Sequence, residues 1–108
     1  MNNKTINILG TKYKIEYRKS SDDVKLETCD GYCDTSIKLI VVGIFNKSDN
    51  SVDDLNSYSR KVLRHEIMHA ILYEGGLGCN SWAENEEIID WMAIQYPKLK
   101  EIFDKLEV

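Results

Sequence analysis

The chain has only two histidines among 108 residues, four apart in Arg64-His65-Glu66-Ile67-Met68-His69-Ala70, with a glutamate directly after the first. On an α-helix, at about 100° per residue, positions i and i+4 differ by roughly 40° and lie one turn apart, so both imidazoles can reach one ion at about 2.0–2.1 Å. Glu66, about 100° round from His65, falls beside a metal-bound water rather than on the metal. This is the HExxH arrangement, in which zinc lowers the pKa of its water and the glutamate takes the proton during attack on a carbonyl. The competing reading is two core or surface histidines on an amphipathic helix. It needs both the spacing and Glu66 to be coincidence, expected roughly once in several hundred chains of this composition.

A zinc site with two histidines needs a third protein ligand, and with no further histidine that ligand is a carboxylate. The segment Trp82-Ala83-Glu84-Asn85-Glu86-Glu87-Ile88-Ile89-Asp90-Trp91-Met92-Ala93 offers three glutamates on one expected helix. With Glu86 at 0°, Trp82, Ile89, Met92, Ala93 and Tyr96 cluster between roughly 240° and 340° and define the buried face. Glu86 borders that face, whereas Glu87 at about 100° and Glu84 at about 160° point to solvent. Asp90 follows Glu86 by one turn and is placed to accept the outer ring N–H of a zinc-bound histidine. Cys29, Cys33 and Cys79 are an odd count in a chain without a signal peptide, which indicates reduced thiols. A second thiolate site built from all three would have to borrow a fourth ligand from Asp or Glu.

Strand patterns precede these helices. Ile6 and Ile8, then Tyr13, Ile15 and Tyr17, alternate with polar residues on either side of Gly10-Thr11 and predict a hairpin. Ser20 to Glu27 is polar and poorly patterned. A second hairpin is expected from Gly31-Tyr32-Cys33-Asp34, a turn at Thr35-Ser36, and the run Ile37 to Phe45, apolar enough for a strand covered on both faces. Asn46 to Asn50 reads as a loop, and Ser51 as the N-cap of a long helix with Asp53 and Asp54 in its first turn. Leu55, Tyr58, Val62, His69 and Leu72 continue at helical spacing until Gly75-Gly76 ends the run. A further helix is expected over Trp82 to Gln95, which Pro97 either kinks or follows with a last helix.

Composition bounds the function. At 43% hydrophobic and 30% charged, 108 residues make one soluble domain, 1–108, burying roughly two thirds of its unfolded surface. The start lacks an apolar leader, and the longest apolar run, Leu39 to Phe45, is far below the roughly 20 residues of a membrane span. A cytoplasmic location and no membrane partner are therefore expected. A net charge of −4 without a Lys/Arg cluster argues against nucleic acid.

The pair His65-Glu66-x-x-His69 with Asn85-Glu86-x-Ile88-x-Asp90 resembles the zinc site of thermolysin-like gluzincins. That resemblance implies His65, His69 and Glu86 as zinc ligands, Glu66 as catalytic base and Asp90 as support for the first histidine. Over Ile8-Leu9-Gly10-Thr11, Gly31-Tyr32-Cys33-Asp34 and Trp82 to Glu87 the chain is more similar to short phage- or prophage-encoded HExxH metallopeptidase-like proteins, implying a bacterial host's cytoplasm. The interval from His69 to Glu86 is shorter than in thermolysin-like enzymes, and no third histidine is present for the oxyanion. Tyr13, Tyr17, Tyr32, Tyr58, Tyr73 and Tyr96 are the remaining candidates. The expected fold is an α+β minimal zincin, with a small antiparallel or mixed sheet from residues 4 to 46 packed on the HExxH helix and the Glu86 helix. By the same resemblance, the hairpin from Gly31 to Phe45 supplies an edge strand for a peptide or protein substrate. The expected function is zinc-dependent peptide hydrolysis; the alternative is a non-catalytic, zinc-stabilised phage interaction protein.

Overall fold

Leu39-Ile40-Val41-Val42-Gly43 is buried at every position, which a single covered face cannot achieve. In the computed structural model, which describes residues 3–46, 54–78 and 81–108, this strand lies inside a four-stranded sheet with material on both sides. The strands are β1 (Lys4–Ile8), β2 (Thr11–Arg18), β3 (Gly31–Asp34) and β4 (Leu39–Gly43), in the order β1-β2-β4-β3. β1 and β3 pair antiparallel with β2 and β4, whereas β2 and β4 run parallel, with Ile15 opposite Ile40. The sheet is therefore mixed and β3 is an edge.

Helix α1 (Leu55–Leu72) covers one face. Ile8, Tyr13, Ile15, Ile40 and Ala70 form the main core, with Leu63, Ile67 and Ile71 packed against it. The other face is covered by the segment that reads as unpatterned: a short 3-10 turn, Val24–Glu27, places Leu26 on Leu39 and Val41. Tyr32 of β3 packs beside Leu26 on this second face.

The hairpins depart slightly from expectation. Leu9 and Gly10, both at positive φ, make the first turn, so Thr11 belongs to β2. Gly10 takes this left-handed geometry without a steric penalty, and its N–H donates to Asn7 Oδ1 at 2.8 Å. The second turn is longer than Thr35-Ser36 and runs through Lys38, itself left-handed at φ 56°, so Ile37 is an exposed turn residue.

Asp54, not Ser51, caps α1, its side chain accepting the Ser57 N–H at 3.0 Å. Ser51 and Asp53 lie outside the described residues. At its far end α1 passes into a π-helical turn, Tyr73–Leu77, where Gly76 at φ 87° ends the run.

Helix α2 begins at Glu86 rather than Trp82, because Asn85 caps it by accepting from the N–H groups of Glu87 and Ile88. Trp82 stands outside the helix and is 85% exposed, so it does not belong to the buried face. Ile89 and Ala93 do, both fully enclosed. Pro97 neither stops α2 nor starts a new helix; α2 runs on to Lys105. A proline there denies the Ala93 carbonyl its usual i+4 donor, and a buried carbonyl left unpaired costs about 1–3 kcal/mol. Arg64 Nε supplies the missing donor at 2.6 Å, tying α1 to α2 one residue before His65.

Candidate metal centre

Along α1 the buried stripe is Ser59, Val62, Glu66 and Ala70, which faces the sheet. His65 and His69 occupy the next stripe, turned toward α2. The phase expected from the 3.6-residue period is thus realised: the histidines stand side by side, ring centroids 5.0 Å apart, and the glutamate between them points a third of a turn away.

Glu86, the first residue of α2, reaches both rings. Its Oε2 lies 2.9 Å from His65 Nε2 and its Oε1 3.0 Å from His69 Nε2. One ligand atom from each of the three residues lies within 4.8 Å of the others. Each nitrogen-to-carboxylate contact needs either a hydrogen on the ring nitrogen, which then donates to the carboxylate, or a cation between the two atoms. Two imidazoles and a carboxylate suit zinc in softness and in number.

Asp90, one turn along α2, places Oδ1 3.0 Å from His65 Nδ1. An ionised carboxylate only accepts, so this contact sets the proton on Nδ1 and leaves the Nε2 lone pair for a cation. The same Oδ1 takes Lys61 Nζ at 3.1 Å. Burial alone would raise the Asp90 carboxyl, but the hydrogen bonds from Lys61 and His65 outweigh it and hold the pKa below its ordinary value. Lys61 belongs to the site and was not anticipated, although its place four residues before His65 puts it on the same helical row.

Glu66 is only 8% exposed and accepts no hydrogen bond from any described residue. Burial pushes its carboxyl up to about 7; His65 and Lys61 oppose this and Glu86 adds to it. Its close seating against β3 depends on Gly31. A Cβ there would lie 2.8 Å from Val62 Cγ1, 2.9 Å from the Val41 carbonyl and 3.5 Å from Glu66 Cγ. Only glycine lets α1 lie this near the edge strand.

His65, Glu66, His69, Glu86 and Asp90 all line one cleft of about 670 Å³ between α1, β3 and the start of α2. Glu84, Glu86 and Glu87 are all exposed, the Glu86 side chain at 72%, so Glu86 is set apart by its contacts with both histidines rather than by burial; Glu84 precedes the helix and sits on the cleft lining. Cys29 and Cys33 also line the cleft as free thiols. Burial pushes Cys33 up to about 12 and raises Cys29 as well, so both favour the neutral thiol. Among the described residues neither joins a metal-ligating cluster; Cys79 lies outside the described residues.

Beyond the His65–His69–Glu86 group, Glu74 gathers three donors: Thr11 Oγ1 at 2.7 Å, the Tyr13 hydroxyl at 2.7 Å and Lys38 Nζ at 3.0 Å. It pins the end of the histidine helix to both hairpins. No helix among the described residues is long and apolar enough to cross a membrane. No family model matches the chain, and neither curated proteins nor solved structures yielded a match.

Proposed function

We propose that the chain is a zinc-dependent peptidase of minimal zincin type, acting on an extended peptide. The observation that carries this reading is the convergence of His65 Nε2, His69 Nε2 and the Glu86 carboxylate beside a buried, unbonded Glu66 in one cleft. When bound, zinc supplies a Lewis acid that acidifies water and polarises a carbonyl. His65, His69 and Glu86 would hold it, and Asp90 keeps His65 in the coordinating tautomer. Glu66, placed beside the ligands and without a competing donor, takes the proton from the attacking water and passes it to the departing amine nitrogen. β3 has β4 on one side only, so its other edge offers backbone groups to pair with a peptide along the cleft. The likeness to short phage metallopeptidase-like proteins extends the proposal to a role inside a bacterial host.

One feature favours the non-catalytic alternative: the donors come from two helices, which suits a metal acting as a staple between them. A structural zinc normally has four protein ligands, however, and the described donor group has three. Metal analysis and incubation with a peptide library, comparing wild type with Glu66→Gln, separate the two. About one zinc per chain in both proteins, with cleavage lowered by roughly 10²–10⁴-fold in the variant, is expected for the peptidase. Loss of zinc in Glu66→Gln would make Glu66 a ligand and overturn the mechanism. Zinc in both without Glu66-dependent cleavage would favour the staple.

A further inference from the structure

Peptide hydrolysis builds negative charge on the carbonyl oxygen, and preorganised donors aimed at that charge carry much of the catalysis. No third histidine exists to do this, and of the six tyrosines only Tyr32, Tyr58 and Tyr73 line the cleft. Two of these have committed hydroxyls. The Tyr32 hydroxyl donates to Asp23 Oδ2 at 2.5 Å and accepts from Arg18 at 3.2 Å, while that of Tyr58 donates to Asp30. The Tyr73 hydroxyl has no partner among the described residues.

Tyr73 follows His69 by four residues, so it continues the row of His65 and His69 one turn further along the helix. Its ring has two close neighbours. Lys38 Nζ stands 4.8 Å from the ring centroid, and Gly78 lies so close that a Cβ there would meet Tyr73 Cδ2 at 2.5 Å. Lys38 is in turn fixed by Glu74, and Glu74 by Thr11 and Tyr13. The strained left-handed backbone of Lys38 is consistent with a side chain whose placement matters.

We propose that Tyr73 is the oxyanion-stabilising residue of this site, its hydroxyl donating a hydrogen bond to the carbonyl oxygen of a bound peptide as negative charge develops there. The assignment rests on the hydrolytic reading above. No proton is transferred; the phenol donates and keeps its hydrogen. Lys38 and Glu74 are positioning residues that act through the ring.

A phosphonate peptide, whose tetrahedral anionic oxygens mimic this charge, is titrated by calorimetry into zinc-loaded wild type, Tyr73→Phe and Tyr32→Phe. Tyr73→Phe should keep full zinc stoichiometry but bind the phosphonate at least about tenfold more weakly, and cleave with kcat lowered about 10²-fold at near-unchanged KM. Tyr32→Phe should bind as wild type. Equal phosphonate affinity in wild type and Tyr73→Phe overturns the assignment, whether or not the protein cleaves. Glu66-dependent cleavage that survives Tyr73→Phe sinks the assignment alone. A wild type that neither binds the phosphonate nor cleaves sinks the hydrolytic reading and the assignment together.

Discussion

Glu66 and Glu74 lie on the same helical run and both are largely withdrawn from water, at 8% residue exposure and 12% side-chain exposure, yet their environments push them in opposite directions. Hydrogen bonds from Tyr13, Thr11 and Lys38 hold the Glu74 carboxyl at about 2, overcoming the burial that would raise it. Glu66 has burial without donors and rises to about 7. Burial therefore does not by itself decide what a carboxylate is for. A satisfied one is scaffold, fixed and inert; an unsatisfied one open only to a cleft is costly to keep charged and suited to taking a proton.

The contrast is broken most directly by amidating each carboxylate. Glu66→Gln should lower peptide turnover by roughly 10²–10⁴-fold, while the melting temperature of chelator-treated protein at pH 8 stays level or rises, since an unpaired buried charge has been removed. A substantial fall in melting temperature would mean that Glu66 is structural and the contrast is wrong. Asp90→Asn comes next: it keeps an acceptor for His65 but loses the charge, and competitive chelator titration should show zinc affinity about 10–100-fold weaker.

Glu74→Gln should, unlike Glu66→Gln, lower stability. Zinc stoichiometry should be kept, but the fully buried Tyr13 hydroxyl loses its anionic acceptor, and the melting temperature should drop by roughly 5 °C or more. Because the folded pKa of Glu74 is depressed, its contribution is fully present above its ordinary value of 4.5 and disappears as pH falls through about 2. The gap between the acid-unfolding curves of wild type and variant should close over that window; a gap independent of pH would show that the charge is not what stabilises. The smallest effects belong to Glu84→Gln and Glu87→Gln, which should change zinc affinity by less than about threefold, as exposed and screened charges do. If Glu87→Gln proved the most damaging, the phase of α2 would be wrong.

What the sequence revealed follows from the range of each interaction. His65, Glu66 and His69 are placed by a local 3.6-residue period, and Asp90 relative to Glu86 by the same rule, so their arrangement was readable before any fold was known. β4 was readable as doubly covered, but not what covers it, because Val24 and Leu26 are two apolar residues in a polar stretch with no period to show that Leu26 alone is buried. Trp82 was misplaced since hydrophobicity says nothing about where a cap falls, although Asn85 carried the signal for the true start of α2. Tyr73 and Lys61 lay in view at four-residue spacings from the histidines. Their roles depended on partners, Glu74, Lys38 and Asp90, that only tertiary structure assembles.

The chain's single proline sits eleven residues beyond Glu86, yet it bears on where Glu86 and Asp90 stand. Because Pro97 cannot donate to Ala93, that carbonyl is free to be claimed by Arg64, the immediate neighbour of His65. The gap in one helix's ladder thus works as an index mark read by the other. Sliding α2 by one residue, about 1.5 Å of rise and 100° of rotation, would both break this contact and carry the two carboxylates off the imidazoles. Helices that could otherwise pack in several registers, apolar face on apolar face, are held to the one in which Glu86 and Asp90 of α2 meet His65 and His69 of α1.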